Sequence, residues 1–141
     1  MISQMLIAFG ALLLAGSLHF FGLRTAARLV RKMEVGAFPS FLVILLAGTV
    51  GQCLAALIFA FGYALSIKAG LGNFDPASSV GLMEIYSFSL VNLTTLGLGD
   101  VVPEGHLKLL AGVEAMTGFL LISCTASHIF QIMKADLLNN D

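Results

Sequence analysis

The sequence predicts an all-α membrane protein: three membrane-crossing helices, with a shorter re-entrant helix and loop between the second and the third. Three observations predict it. Of 141 residues, 58% are apolar and only 11% charged, far too little polar surface for a soluble domain of this size. Three apolar runs each reach the roughly 20 residues that a helix needs to cross a bilayer. Between the second and third run lies a segment that is apolar, too short to cross, and broken by glycines at its end.

The first run, Ile2 to about Leu23, is a membrane span and not a signal peptide. Nothing basic precedes it, and no small-residue cleavage pattern follows it. Residues 1–34 form one unit, the span plus a basic cytoplasmic extension carrying Arg24, Arg28, Arg31 and Lys32. A short loop this basic belongs in the cytoplasm, so the N-terminus is expected outside and the C-terminus inside. The three arginines share one helical face. They lie past the apolar core, which favours snorkelling to lipid phosphate over voltage sensing. Anionic lipid is the expected partner of these four cations.

Residues 35–141 form the second unit. Its outer helix spans about 41–67. The segment "KAGLGNFDPASS" then reads as loop, with Asp75 and Pro76 as N-cap and first residue of the next helix, or Ser78 or Ser79 as the cap. A short helix over about 77–94 follows, then "LGLGD", then a last helix over about 107–134. Irregular backbone at membrane depth survives only inside protein or beside a water-filled path, which makes "NLTTLGLGDVVP" a functional segment. Glycines at alternate positions permit left-handed dihedrals, and alternating handedness aims successive carbonyls to one side.

The remaining composition narrows the function. A net charge of −1 gives no reason to expect nucleic acid. Cys53 and Cys124 sit in apolar runs as small buried hydrophobes, and the three histidines have no metal-ligand spacing. No nucleophile–base pair or phosphate loop is present, so no enzyme and no cofactor are expected.

"TTLGLGD", Thr94 to Asp100, resembles the filter signature of tetrameric potassium channels, and small prokaryotic members in particular. It is most similar to the second pore loop of two-pore-domain channels, with Leu at 98 and a proline, Pro103, three residues after the aspartate. The resemblance covers about Phe41 to Met133 and not the first span. It implies a pore domain at 35–141, with a pore helix at about 77–94 and a selectivity filter at 95–99. Thr95, Leu96, Gly97 and Leu98 would bind potassium through their carbonyls, and Gly99 would shape the outer mouth. Thr94 would end the pore helix, whose negative dipole end favours a cation. Asp100 would tie the filter to that helix. Leu98 replaces the usual Tyr and loses its hydroxyl, so a softer filter is expected.

Glu114 and Gly118 resemble the glutamate and hinge glycine of inward-rectifier-like bacterial channels. Glu114 either braces the filter from behind, toward Asn92 or Ser89, adds field to the cavity, or only bonds a neighbouring helix. Gly118 is the gating-hinge candidate, whereas Gly112 reads as packing. His19 and His128 read as ordinary interfacial histidines. Asp75, Glu84, Asp100 and Glu104 would form an acidic outer vestibule, some of them capping helices instead.

The expected function is passive potassium conduction through a homotetramer in a bacterial plasma membrane, since one chain holds one filter strand. The rivals are a weakly selective monovalent cation channel and a non-conducting membrane subunit with the pore fold. A transporter would need four unequal repeats, and the sequence has none. With about eight residues after the third span, gating is expected from the filter, the helix bundle, lipid or a partner.

Overall fold

Helix α1 runs from Ile2 to Met33 in the computed structural model, which describes residues 1–33, 36–75, 80–97 and 101–139. At 32 residues it is about 48 Å long, beyond the roughly 30 Å of a bilayer's hydrocarbon core. The arginines therefore continue the same helix past the apolar stretch. The Arg24 guanidinium lies 5.9 Å from the centre of the Phe20 ring. Helix α2 is Ala37–Lys68, α3 is Leu82–Leu93 and α4 is Leu107–Asn139. α1, α2 and the Leu107–Lys134 part of α4 are each long and apolar enough to cross a membrane. The protein is an integral membrane protein by these helices. Only 22% of the most apolar window of α2 is buried within the chain, so lipid or further copies must cover the rest.

α1 packs on α2 and α4, and α3 sits between the C-terminal half of α2 and the N-terminal part of α4. The buried face of α1 carries Gln4, Ala8, Ala11, Ala15, His19, Leu23 and Ala26, spaced three and four apart. Alanines at those positions let the helices approach closely, the usual basis of packing where no water drives association. Gln4 breaks the pattern. It is fully buried, and neither its amide oxygen nor its amide nitrogen has a hydrogen-bond partner. Gln4→Met should therefore raise the melting temperature in detergent, by an amount equal to about 1–3 kcal/mol for each relieved polar group. A lower melting temperature would show that the amide is satisfied in the assembled protein.

One feature of the outer connection is not all-α. Phe74–Asp75 (β1) and Val102–Pro103 (β2) pair antiparallel, Phe74 with Pro103 and Asp75 with Val102. The pairing continues beyond the strands: Glu104 N–H donates to the Asn73 carbonyl at 2.7 Å, and His106 N–H to that of Leu71 at 3.0 Å. Gly72 makes this possible, because a Cβ there would lie 2.4 Å from the Glu104 carbonyl oxygen. The ladder also corrects the expected helix start. Asp75 pairs in a strand and does not cap. Gly81 is the N-cap of α3, and its N–H donates to the Glu84 carboxylate at 2.9 Å. A Cβ at 81 would meet that carboxylate, so glycine lets Glu84 fold back over the helix start. Ser78 and Ser79, the other expected caps, lie outside the described residues.

Candidate functional site

The segment after α3 departs from ordinary backbone where the glycine spacing predicts it, and two residues earlier as well. Gly97 has φ +65°, and Thr95 has φ +61°. Thr95 is the one non-glycine residue at positive φ among the described residues. A β-branched residue rarely adopts this conformation, so the surroundings must hold it there. Leu96 between them is not left-handed, which gives the alternation that turns consecutive peptide groups the same way. Thr94, Thr95, Leu96 and Gly97 are all exposed in the single chain, Leu96 at 64%. Leu98, Gly99 and Asp100 lie outside the described residues.

Thr94 is the C-cap of α3. Its N–H donates to the Leu90 carbonyl and its hydroxyl to the Val91 carbonyl at 2.8 Å. Thr95 N–H donates to the Asn92 carbonyl at 2.9 Å, the last bond before the backbone turns away. The carbonyl-bearing end of α3 thus faces the strained segment, and the helix dipole puts partial negative charge there.

Behind this end lies a buried polar cluster drawn from three helices. Glu114 of α4 is fully buried. The Tyr63 hydroxyl of α2 donates to its Oε2 at 2.7 Å, and Asn92 Nδ2 of α3 donates to the same oxygen at 2.8 Å. Asn92 spends its other amide hydrogen on the Ala111 carbonyl at 2.9 Å. Ser89 of α3 lies between Glu114 Oε1 and the Ala56 carbonyl of α2. A serine has one proton, so it donates to one of these neighbours only. Both residues expected to meet Glu114, Asn92 and Ser89, do so. Tyr63 is a partner that the sequence reading does not supply. Its signal is a tyrosine near the C-terminal end of an apolar span, whose hydroxyl needs a partner when buried.

Aromatic packing closes the cluster. The rings of Tyr63, Phe74 and Phe88 meet pairwise with centroids 5.1–5.6 Å apart. Phe74 belongs to β1, so the ladder and the polar cluster share one core.

Gly118 is pressed against the same region. A Cβ there would lie 1.7 Å from the Leu93 carbonyl oxygen and 2.6 Å from its carbonyl carbon. The end of α3 rests on the bare backbone of α4, a packing reason for this glycine that requires no hinge. Gly112 has nothing within 4 Å of such an added carbon. Within the chain, packing is therefore the demand at 118, and nothing presses on 112. Of the acidic residues expected at the outer mouth, Asp75, Glu84 and Glu104 are exposed, and Glu84 is partly engaged at Gly81. Among the described residues no group of three or more His, Cys, Asp or Glu side chains could hold a metal ion.

Residues 41–135 match the family model described as an ion channel. That range takes in most of α2, the ladder, α3, the strained segment and most of α4, and leaves α1 outside. No curated protein and no solved structure matches the chain.

Proposed function

This chain belongs to the ion-channel family matched over residues 41–135, and from that premise we propose that it conducts potassium passively through a pore formed by four copies of itself. The observation that carries the reading is the alternation at Thr95, Leu96 and Gly97, set on the negative end of α3. Four such segments around an axis would stack rings of oxygen in place of an ion's hydration water, as the filters of potassium channels do. Thr95, Leu96, Gly97 and Leu98 supply the rings, Gly99 the outer mouth, and Thr94, Asp100 and Glu114 the support. The exposure of residues 94–97 in one chain fits a surface that other copies cover.

Basic residues concentrate at one end of α1, so that end lies in the cytoplasm of the plasma membrane and the N-terminus outside. There Arg24, Arg28, Arg31 and Lys32 hold anionic lipid. Arg24 and Arg31 line a cleft of about 210 Å3 with Leu23, Ala27, Cys124 and His128, charged at its rim and apolar within.

Purified protein in liposomes tests these points together. The native mass should be that of a tetramer; a monomer or dimer would rule out the pore. Potassium and rubidium gradients should drive flux that barium blocks, with sodium flux well below both. Equal sodium and potassium flux would favour the weakly selective channel, and no flux the non-conducting subunit. Vesicles containing phosphatidylglycerol should support more flux than purely zwitterionic ones, and equal flux would remove the lipid assignment.

A further inference from the structure

α1 lies outside the region that matches the family, yet it makes a buried polar contact with α4. His19 is 2% exposed. Its Nε2 lies 3.0 Å from the Thr125 hydroxyl, and that hydroxyl donates to the Leu121 carbonyl at 3.1 Å. A threonine has one hydroxyl proton; spent on Leu121 it leaves Thr125 to accept from Nε2–H, whereas the other tautomer would bury an unpaired N–H at Nδ1, so we place the imidazole proton on Nε2. Nδ1 is then a bare acceptor, buried and without a partner. The ring sits against Gly51 of α2, where a Cβ would come within 2.5 Å of Nδ1. Thr125 in turn sits against Gly48, where a Cβ would come within 2.5 Å of its methyl. Two glycines of α2 therefore leave the space in which this bond between α1 and α4 forms.

We propose that His19 is a proton-sensitive latch through which α1 holds the inner half of α4 in place. The proposal rests on the channel reading for its consequence but not for its geometry. A second proton on Nδ1 would find no acceptor, and the charge it brings would find no carboxylate partner among the described side chains. α1 and α2 contain no carboxylate, and α4 contains only Glu114 and Asp136, 11 residues away on either side of Thr125. Among the described residues the other titratable or charged groups towards this end are Arg24, Arg28, Arg31 and Lys32 on α1, Cys53 on α2, and Cys124, His128 (one turn beyond Cys124) and Lys134 on α4, and none is a carboxylate that could neutralise an imidazolium. Protonation therefore favours a state in which the ring leaves the junction and reaches water. α1 packs chiefly on α2 and α4, whereas the strained segment follows α3. Released, the inner half of α4 is free to close on the pore axis.

Two readouts test this. Potassium flux in liposomes should fall about fivefold between about pH 7.5 and about pH 5.5, the range in which histidine titrates and a change worth about one hydrogen bond. His19→Gln keeps an amide donor for Thr125 and cannot titrate, so its flux should be flat across that range. His128→Gln should keep the parent's fall. The second readout does not need conduction. Cys124 adjoins Thr125 and lines the cleft between α1 and α4. In a Cys53→Ser background, maleimide labelling of Cys124 is compared with that of the same protein carrying His19→Gln at the same pH, which cancels thiol ionisation. The ratio should be near one at the higher pH and rise several-fold at the lower. A ratio that stays near one at both overturns the latch, whatever the flux. A rising ratio in a protein without flux would keep the latch and discard the channel.

Discussion

Glu114→Leu should abolish potassium flux and lower the melting temperature, whereas Glu114→Gln should leave both close to the parent. Leucine removes the acceptor of the Tyr63 hydroxyl and of one Asn92 amide hydrogen. Tyr63 is fully buried and Asn92 half-buried, and an unsatisfied buried donor costs about 1–3 kcal/mol, so the loss is about 2–6 kcal/mol for the pair. It falls where α2, α3 and α4 meet, directly behind the segment that carries the strained Thr95. Glutamine can replace every bond. Its carbonyl takes the place of Oε2 and accepts from Tyr63 and Asn92. Its amide takes the place of Oε1 and donates to the Ser89 hydroxyl, whose proton then goes to the Ala56 carbonyl. One amide hydrogen is left over, a penalty of about 1 kcal/mol. Flux and thermal unfolding of the two variants together separate bracing from electrostatics. If the carboxylate acts by its charge, glutamine will unfold like the parent and still fail to conduct. If leucine conducts like the parent, the cluster has no part in the filter.

Gly118→Ala should be as damaging, for a steric reason. The added carbon would stand 1.7 Å from the Leu93 carbonyl oxygen, which is backbone and cannot swing aside. Either α3 or α4 must move by more than an ångström, and the residues that follow Leu93 are Thr94 to Gly97. Overpacking of this kind costs about 1–3 kcal/mol and sometimes more. We expect at least about a tenfold loss of flux with a clear drop in melting temperature. Gly112→Ala is the control and should change neither, since nothing lies within 4 Å. A hinge at 118 would read differently: flux would fall while the melting temperature held or rose. Unaltered flux and stability in Gly118→Ala would contradict the close approach itself.

Which parts of this architecture are legible in the sequence follows from the range of the forces involved. The helices are legible because length and apolarity alone decide them in a bilayer. Asn92 and Ser89 are legible as partners of Glu114 because a carboxyl in a membrane helix must find donors, and few polar side chains lie at its depth. The left-handed turn at Gly97 follows from local chain geometry. Tyr63 is not legible, because its pairing depends on how α2 is rotated against α4. The same holds for His19 and Thr125, 106 residues apart. The ladder is hidden for another reason: two-residue strands have no periodicity to read, and Asp-Pro looks like the start of a helix. Gly118 misleads because glycine in a helix signals bending and close packing alike. Thr95 at positive φ contradicts its own preference, as residues at functional sites tend to do.

The ladder joining residues 74–75 to 102–103 has a practical meaning for engineering. It brings the two ends of the whole excursion side by side, so α3 and the strained segment leave and rejoin the helical frame at one doorway. A stretch with adjoining ends can be exchanged without moving what flanks it. On the proposed channel reading the excursion is thus a cassette: filters of other ion preference should be transplantable between Asp75 and Val102, provided each brings its own match for Glu114 and can rest on the bare backbone at 118.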